Sequence, residues 1–291
     1  MFAFTKHVAL PDEALPLLGD SAVGIAPSLP TLRRRAATLG IPTEAPRDGL
    51  ATRDGHYVFR RGGDWLLFDA APSGPDESGA HQHADLLGFE LMIGAIPVVV
   101  DGGAGHYGEG PMREALRSAN EHTVAQIDGE GPADPWKSFR LGRRGHPFGV
   151  RKRERSDGSF ILIAHHDGFA HRGVTVRRRI LGEPGKRRFV ISDRADGRAR
   201  RMVASLPLHP GIAVQAVSAH EVLLLHAGLP IARVRAFANG KPASFLTQKG
   251  WRWENFGVRL ERIVLRAEAH RPGPLTLSFE IRAIRSERPH C

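Results

Sequence analysis

From about Gly55 onward the chain is a succession of short apolar and β-branched runs, each closed by a turn signal. No other feature constrains the fold as strongly. Tyr57-Val-Phe-Arg60 and Asp64-Trp-Leu-Leu-Phe-Asp69 flank an Arg61-Gly-Gly63 turn, the pattern of a hairpin. Further runs follow at Gly88–Ile93, Pro97–Asp101, His122–Asp128, Phe160–His166, Val174–Leu181 and Arg187–Asp193, and on to Gly273–Ile281. Turns such as Ser156-Asp-Gly158 and Glu183-Pro-Gly185 separate them. So many short strands exceed one small sandwich and predict a mainly β fold, a large antiparallel β-sandwich. No repeat of fixed period is present, which argues against a propeller.

Residues 1–50 differ. Pro11–Asp20 is loop-like, and Pro30–Leu39 reads as one short helix stopped at Gly40. The expected division is a linker-like segment over 1–50 and a sandwich domain over 51–291. A second helical candidate, Pro111–Ala119, joins two of the strands. At 291 residues the chain is long enough for a sizeable core. The apolar run Leu91–Val100 is broken by Gly94 and Pro97 and falls far short of a membrane span. The N-terminus, Met1-Phe-Ala-Phe-Thr-Lys-His7, lacks the basic-then-apolar layout and cleavage site of a signal peptide. The one cysteine, Cys291, excludes an intrachain disulfide and says little about compartment.

Lys plus Arg number 41 against 31 Asp plus Glu, a net charge of +10, with arginine clustered at Arg33–Arg35, Arg140–Arg155, Arg177–Arg179 and Arg198–Arg201. Such a balance favours a polyanion, either nucleic acid or an acidic polysaccharide. Arginine along solvated strand edges also discourages edge-to-edge pairing. Neither zinc-finger spacing nor an aromatic-basic RNA-binding signature accompanies the charge, so a nucleic-acid partner is not expected.

The segment His81-Gln-His-Ala-Asp-Leu-Leu-Gly-Phe-Glu90 places ionisable groups directly beside core-type sequence. Residues two apart on a strand share a face. If 81–91 is extended, His81, His83 and Asp85 point one way and continue into Leu87, Phe89 and Leu91. Asp101 closes the strand Pro97–Val100, and His122 opens the strand His122–Asp128. Two histidines and a carboxylate suit Zn²⁺ with a fourth position open. A hydrogen-bonded polar corner of a β protein is the competing reading, and with 15 histidines in the chain the spacing does not decide.

His81–Leu91, Val98-Val-Val-Asp-Gly-Gly-Ala-Gly-His-Tyr107 and Asn120-Glu-His-Thr-Val-Ala-Gln-Ile-Asp-Gly129 together resemble the C-terminal β-sandwich of the heparinase II/III-like polysaccharide lyases, a group that includes alginate and oligo-alginate lyases. His166-Asp-Gly-Phe169, Arg177–Arg179, Leu206-Pro-Leu-His-Pro210 and Gly250-Trp-Arg-Trp-Glu-Asn-Phe-Gly257 extend the similarity in the same order, over about residues 10–270. The resemblance implies that His83, Asp101 and His122 bind a structural zinc and that His81 faces substrate. Asp85 is either an orienter of a neighbouring histidine or a simple strand-end hydrogen-bonding group.

The resemblance further implies β-elimination on a uronic-acid polymer. A base removes the proton α to the carboxylate, a partner neutralises that carboxylate, and an acid protonates the departing oxygen. In the family an N-terminal α/α toroid supplies the tyrosine and the neutraliser, and no toroid precedes the sandwich here. Of the two tyrosines, Tyr57 reads as a hairpin residue. Tyr107 is a candidate cleft contact beside His81, or a loop anchor. The expected function is therefore a lyase-type domain that needs a separate toroid chain. A non-catalytic module binding acidic polysaccharide is the alternative, and a basic nucleic-acid binder ranks third. Heparan sulfate, alginate and bacterial exopolysaccharide all remain open as the sugar. The family acts in the periplasm or outside the cell.

Overall fold

The computed structural model describes residues 2–43, 46–75 and 77–284; Cys291 lies outside them. Three short α-helices, α1 (Phe2–Val8), α2 (Leu29–Thr38) and α3 (Pro111–Arg117), punctuate a chain of strands. The first five strands, β1 (Gly49–Arg53), β2 (His56–Arg61), β3 (Asp64–Asp69), β4 (Phe89–Ile93) and β5 (Ile96–Val99), form an antiparallel meander in sequence order. After α3 come β6 (Ala125–Ile127), a small hairpin of β7 (Pro135–Trp136) and β8 (Arg140–Leu141), and then β9 (Pro147–Glu154), β10 (Phe160–Phe169), β11 (Val174–Glu183) and β12 (Arg188–Asp196). The remaining strands are β13 (Arg201–Pro207), β14 (Ile212–Ser218), β15 (Glu221–His226), β16 (Leu229–Ala238), β17 (Lys241–Pro242), β18 (Leu246–Asn255), β19 (Val258–His270) and β20 (Leu275–Ala283).

A nine-stranded sheet runs β14-β15-β16-β20-β12-β11-β10-β9, with β17 beside β16, and a four-stranded sheet runs β18-β19-β13-β6. The mainly β sandwich expected from the sequence is what forms. Strict alternation drives it: along β10 and β11 every second residue is buried, so Phe160, Leu162, Ala164, Val176 and Ile180 enter one core while their neighbours face out. That core is continuous across the five-, nine- and four-stranded sheets.

Strand β3 is buried on both faces. Leu66 and Phe68 join the main core, whereas Trp65 and Leu67 pack against Val8 of α1, with Val58 and Met92. The first residues thus cover the second face of the five-stranded sheet. Hydrogen bonds tie them in place: Arg60 donates to the carbonyls of His7 and Ala9, Val23 N–H donates to Glu254 O and Ala104 N–H to Ser21 O. The helix expected at Pro30–Leu39 is α2, with Ser28 as its N-cap.

Three expectations fail locally. The segment 81–88 is a loop and β4 begins only at Phe89, so His81, His83 and Asp85 do not share a strand face. The loop turns because Leu87 takes φ +58° and Gly88 N–H donates to Asp85 O. It is held by Ala84 N–H donating to Arg117 O and by Phe89 N–H donating to the Thr123 hydroxyl. Asp101 lies two residues beyond β5. His122 closes a 3₁₀ turn, Ala119–Glu121, and the strand after it starts at Ala125.

Candidate functional site

The end of β5 is fastened to the four-stranded sheet. Val100 N–H donates to Pro207 O and His209 N–H to Val98 O, which carries Asp101 inward. One Asp101 oxygen accepts from the N–H groups of Gly102 and Gly103, where the chain turns with φ +65°. The other accepts from His122 Nδ1 at 2.8 Å. Both residues are buried. Burial alone would push the Asp101 carboxyl up, but His122 beside it holds it below the usual carboxylate range. Burial likewise disfavours a charged His122, and Asp101 outweighs it, raising the imidazole's affinity for a proton.

His83 faces His122, with ring centroids 5.2 Å apart, and is also buried. Its Nε2 lies 2.9 Å from Asp20 Oδ1. Burial takes His83 down to about 4 in spite of Asp20, so this ring is neutral at physiological pH. Hydrogen bonding to a carboxylate through one nitrogen leaves the lone pair of each ring on the other, His83 Nδ1 and His122 Nε2. Both atoms are buried without a hydrogen-bond partner.

Asp20 organises the rest. Arg113 grips both its oxygens, at 2.5 and 2.7 Å, and His81 Nδ1 lies 3.0 Å from Oδ2. Burial opposes the charge on Asp20, but the hydrogen bonds from His83, Arg113 and His81 hold its carboxyl far below the ordinary range. Arg113 and Arg117 lie one turn apart on α3 and share a face. Arg117, fully buried, donates to the carbonyls of Gly79, Gln82, Ser138 and Arg140. It therefore clamps together the loops that bear His81 and Phe139.

His81 stands at the surface, its side chain 69 % exposed, beside an aromatic wall. Tyr107 lies 6.2 Å from the His81 ring, 5.4 Å from Phe139 and 4.8 Å from Phe256, with the Arg113 guanidinium 5.1 Å beneath it. The loop carrying Tyr107 is anchored by Ala104, Leu116 and Trp253. Burial raises the Tyr107 phenol, and the charge of Asp20 raises it further. An apolar cleft of about 510 Å³, lined in part by Phe4, Val8, Leu18, Pro72 and Leu87, opens next to His81. Tyr57 packs on Phe68 within the five-stranded sheet, away from this wall.

The fold thus gathers all five residues singled out from the sequence, His81, His83, Asp101, Tyr107 and His122. Around them it places Asp20, Arg113, Arg117, Phe139 and Phe256, which sequence reading passed over. The orienting carboxylate is Asp20, not Asp85, which burial raises to about 6. Two imidazoles with unmet lone pairs, each backed by a carboxylate on its far nitrogen, have the donor pattern of metal-bound histidines. Among the described residues, however, no group of three or more His, Cys, Asp or Glu side chains is arranged around a common centre. Asp101 is turned to His122 Nδ1 and to two backbone N–H groups rather than toward His83.

The family described as Heparinase II/III-like, C-terminal, matches residues 44–283. Solved structures share the fold. A heparinase III superposes with a TM-score of 0.76 at 16 % identity, covering 98 % of this chain and 46 % of its own. Another heparinase III gives 0.74 at 15 % identity, covering 97 % and 48 %. A mutant of the heparan sulfate lyase HepC from Pedobacter heparinus gives 0.73 at 18 % identity, covering 98 % and 46 %. The chain spans a little under half the length of these structures. No curated protein matches.

Proposed function

Because the chain belongs to the Heparinase II/III-like, C-terminal family, we propose that it forms the sandwich wall of a lyase acting on uronic-acid-containing polysaccharide by β-elimination. The observation that carries this reading is the Asp20–His81 pair at the exposed rim. Asp20 accepts from His81 Nδ1–H and so leaves the lone pair on Nε2 of an exposed ring that substrate can reach. That nitrogen is a base for the proton α to a sugar carboxylate. As the C–H bond breaks, its electrons form the double bond and expel the glycosidic oxygen. Tyr107, whose phenol holds its proton more firmly than usual, donates to that oxygen or positions the ring. Phe139 and Phe256 offer faces for sugar stacking.

Elimination also needs the substrate carboxylate neutralised. Arg113, which like His81 hydrogen-bonds Asp20, is committed to that carboxylate and buried. The neutraliser therefore belongs to a second wall, and we assign that role to a helical toroid chain. Zinc, held by His83 and His122 with Asp101 in support, would act as a structural tether of the loops beneath His81. The commitment of Arg113 to Asp20 favours one second reading, a module that binds acidic polysaccharide without cleaving it.

The test is incubation of the chain with heparan sulfate, alginate and bacterial exopolysaccharide while following the ultraviolet absorbance of unsaturated uronate. Product that disappears in His81→Ala supports the lyase. Binding without product, restored to cleavage by an added toroid chain, supports the half-site. Binding without product under both conditions leaves the non-catalytic module.

A further inference from the structure

The outward face of the nine-stranded sheet treats its arginines in two ways. Toward β12, β15, β16 and β20 most are neutralised: Arg188 pairs with Glu183 and Glu280, Arg194 with Asp196, and Arg233 and Arg235 with Glu221, Arg282 of β20 being the exception among the described residues. Toward β9, β10 and β11 they are not. Register places Arg151, Ile163 and Arg179 in one row across three strands, and Arg153, Ile161 and Leu181 in the next. The row on the other side is Phe148, His165 and Arg177. Cross-strand partners share a face. Among the described residues the side chains of Arg151, Arg153, Arg177 and Arg179 make no hydrogen bond or ion pair, and Arg177 Nε is withdrawn from solvent without a partner. The carboxylate nearest Arg177, Asp196, is taken by Arg194.

Gly149 sets the alignment. It sits at φ +61° in the bulge opposite Ala164, and a Cβ there would stand 3.1 Å from His165 Nδ1. The bulge returns Phe148 to the face of Arg151, stacked on His165 at 5.5 Å and exposed. Beside this ring a groove of about 510 Å³ is lined by Arg151, Lys152, Arg153, Ile161, Ile163 and Arg179. Arg151 and Arg179 straddle it two strands apart, a gap on the order of 10 Å.

We infer that the β9–β11 face is a second, non-catalytic site for an acidic glycan chain, whose sulfate or carboxylate groups the unpaired arginines take up while Phe148 stacks against a sugar ring. Charge complementarity selects the ligand class, because four guanidinium groups without counterions on one face recognise oxyanions by paired N–H donors. The exposed ring adds what a featureless cationic surface lacks, a flat apolar platform. The site shares no residue with the His81 rim, so it would hold the polymer while the rim works on it. This inference rests on the reading of the ligand as an acidic polysaccharide.

The experiment is affinity measurement of the full chain for heparan sulfate and alginate, with duplex DNA and neutral dextran as comparators. The variants are Arg151→Gln/Arg179→Gln, Phe148→Ala and, as control, Lys241→Gln on the distant strand β17. The double variant is expected to bind the acidic glycans about tenfold more weakly, and Phe148→Ala severalfold more weakly. Lys241→Gln should bind as the parent does. Arg151→Lys/Arg179→Lys, which keeps charge but not the fork, should fall between. If the double variant binds unchanged and self-associates instead, the arginines guard the edge strand β9 and the inference is wrong. Equal affinity for duplex DNA, with Phe148→Ala leaving both ligands unaffected, would also overturn it. Absence of unsaturated product even with an added toroid chain, while the double variant still loses binding, would sink the lyase reading alone.

Discussion

The Arg113 guanidinium meets the Asp20 carboxylate through two parallel contacts of 2.5 and 2.7 Å, in a setting where Arg113 is fully buried and the Asp20 side chain 3 % exposed. This fork holds the N-terminal segment against α3. It leaves the same two oxygens able to accept from His83 and His81. One carboxylate thereby couples the buried histidine pair to the exposed rim.

Asp20→Ala should cost about 3–5 kcal/mol, the usual penalty for leaving a buried charge without its partner. Denaturant unfolding reads the loss. A change below about 1 kcal/mol would mean that water reaches Arg113 and that the fork is not what fixes the segment.

Arg117→Met should destabilise the chain by about 2–3 kcal/mol, because buried carbonyls at Gln82 and Ser138 lose their donor. The loops 79–82 and 137–140 should open together. Faster hydrogen exchange confined to those two segments is the expected signature, whereas uniform acceleration would point to global destabilisation.

Removal of a histidine proposed to hold zinc should separate from removal of the rim histidine. His83→Ala and His122→Ala are expected to lower both zinc content and melting temperature, and His81→Ala to leave both unchanged. Elemental analysis on protein purified without chelator decides it. Stoichiometric zinc in His83→Ala would refute the assignment, as would its absence from the parent protein.

Acid should weaken the fold through His166. Burial, reinforced by Arg178, lowers this histidine to about 3, and its Nδ1 accepts from Gly168 N–H. The unfolded chain takes up a proton near pH 6.5 and the folded chain does not. Stability from this residue is therefore complete above pH 6.5 and falls as the pH drops toward 3, by about 1.4 kcal/mol per pH unit. Glu90, raised to about 7 by burial and by Asp101, works in the opposite direction between its ordinary value and 7. The readout is thus the difference between parent and His166→Gln. The parent should lose about 2 kcal/mol more than the variant between pH 6.5 and 5. Parallel pH profiles would show that His166 is protonated in the folded protein.

The strands of the sandwich were legible because alternation is a local property: Phe160–His166 and Val174–Leu181 carry their inside and outside faces in their own spelling. The grouping of His83, Asp101 and His122 rested on the resemblance; the fold sets His83 against His122 and hydrogen-bonds Asp101 to His122 without arranging all three around a common centre among the described residues. The loop at 81–88 was misread as strand because its residues alternate too. Hydrogen bonds to the Arg117 and Asp85 carbonyls and to the Thr123 hydroxyl, distant in sequence or turned back on the loop itself, win over that propensity.

Asp20 could not be found this way. It sits 61 positions from His81 and 93 from Arg113 in a stretch that reads as linker, with nothing around it to mark a buried acid. Sequence by itself determined the sandwich and its turns, since alternation and turn residues depend on neighbours a few positions apart. Only the tertiary structure decided which carboxylate joins them and which arginines are left without partners. Those outcomes depend on burial and on charges brought together from distant parts of the chain.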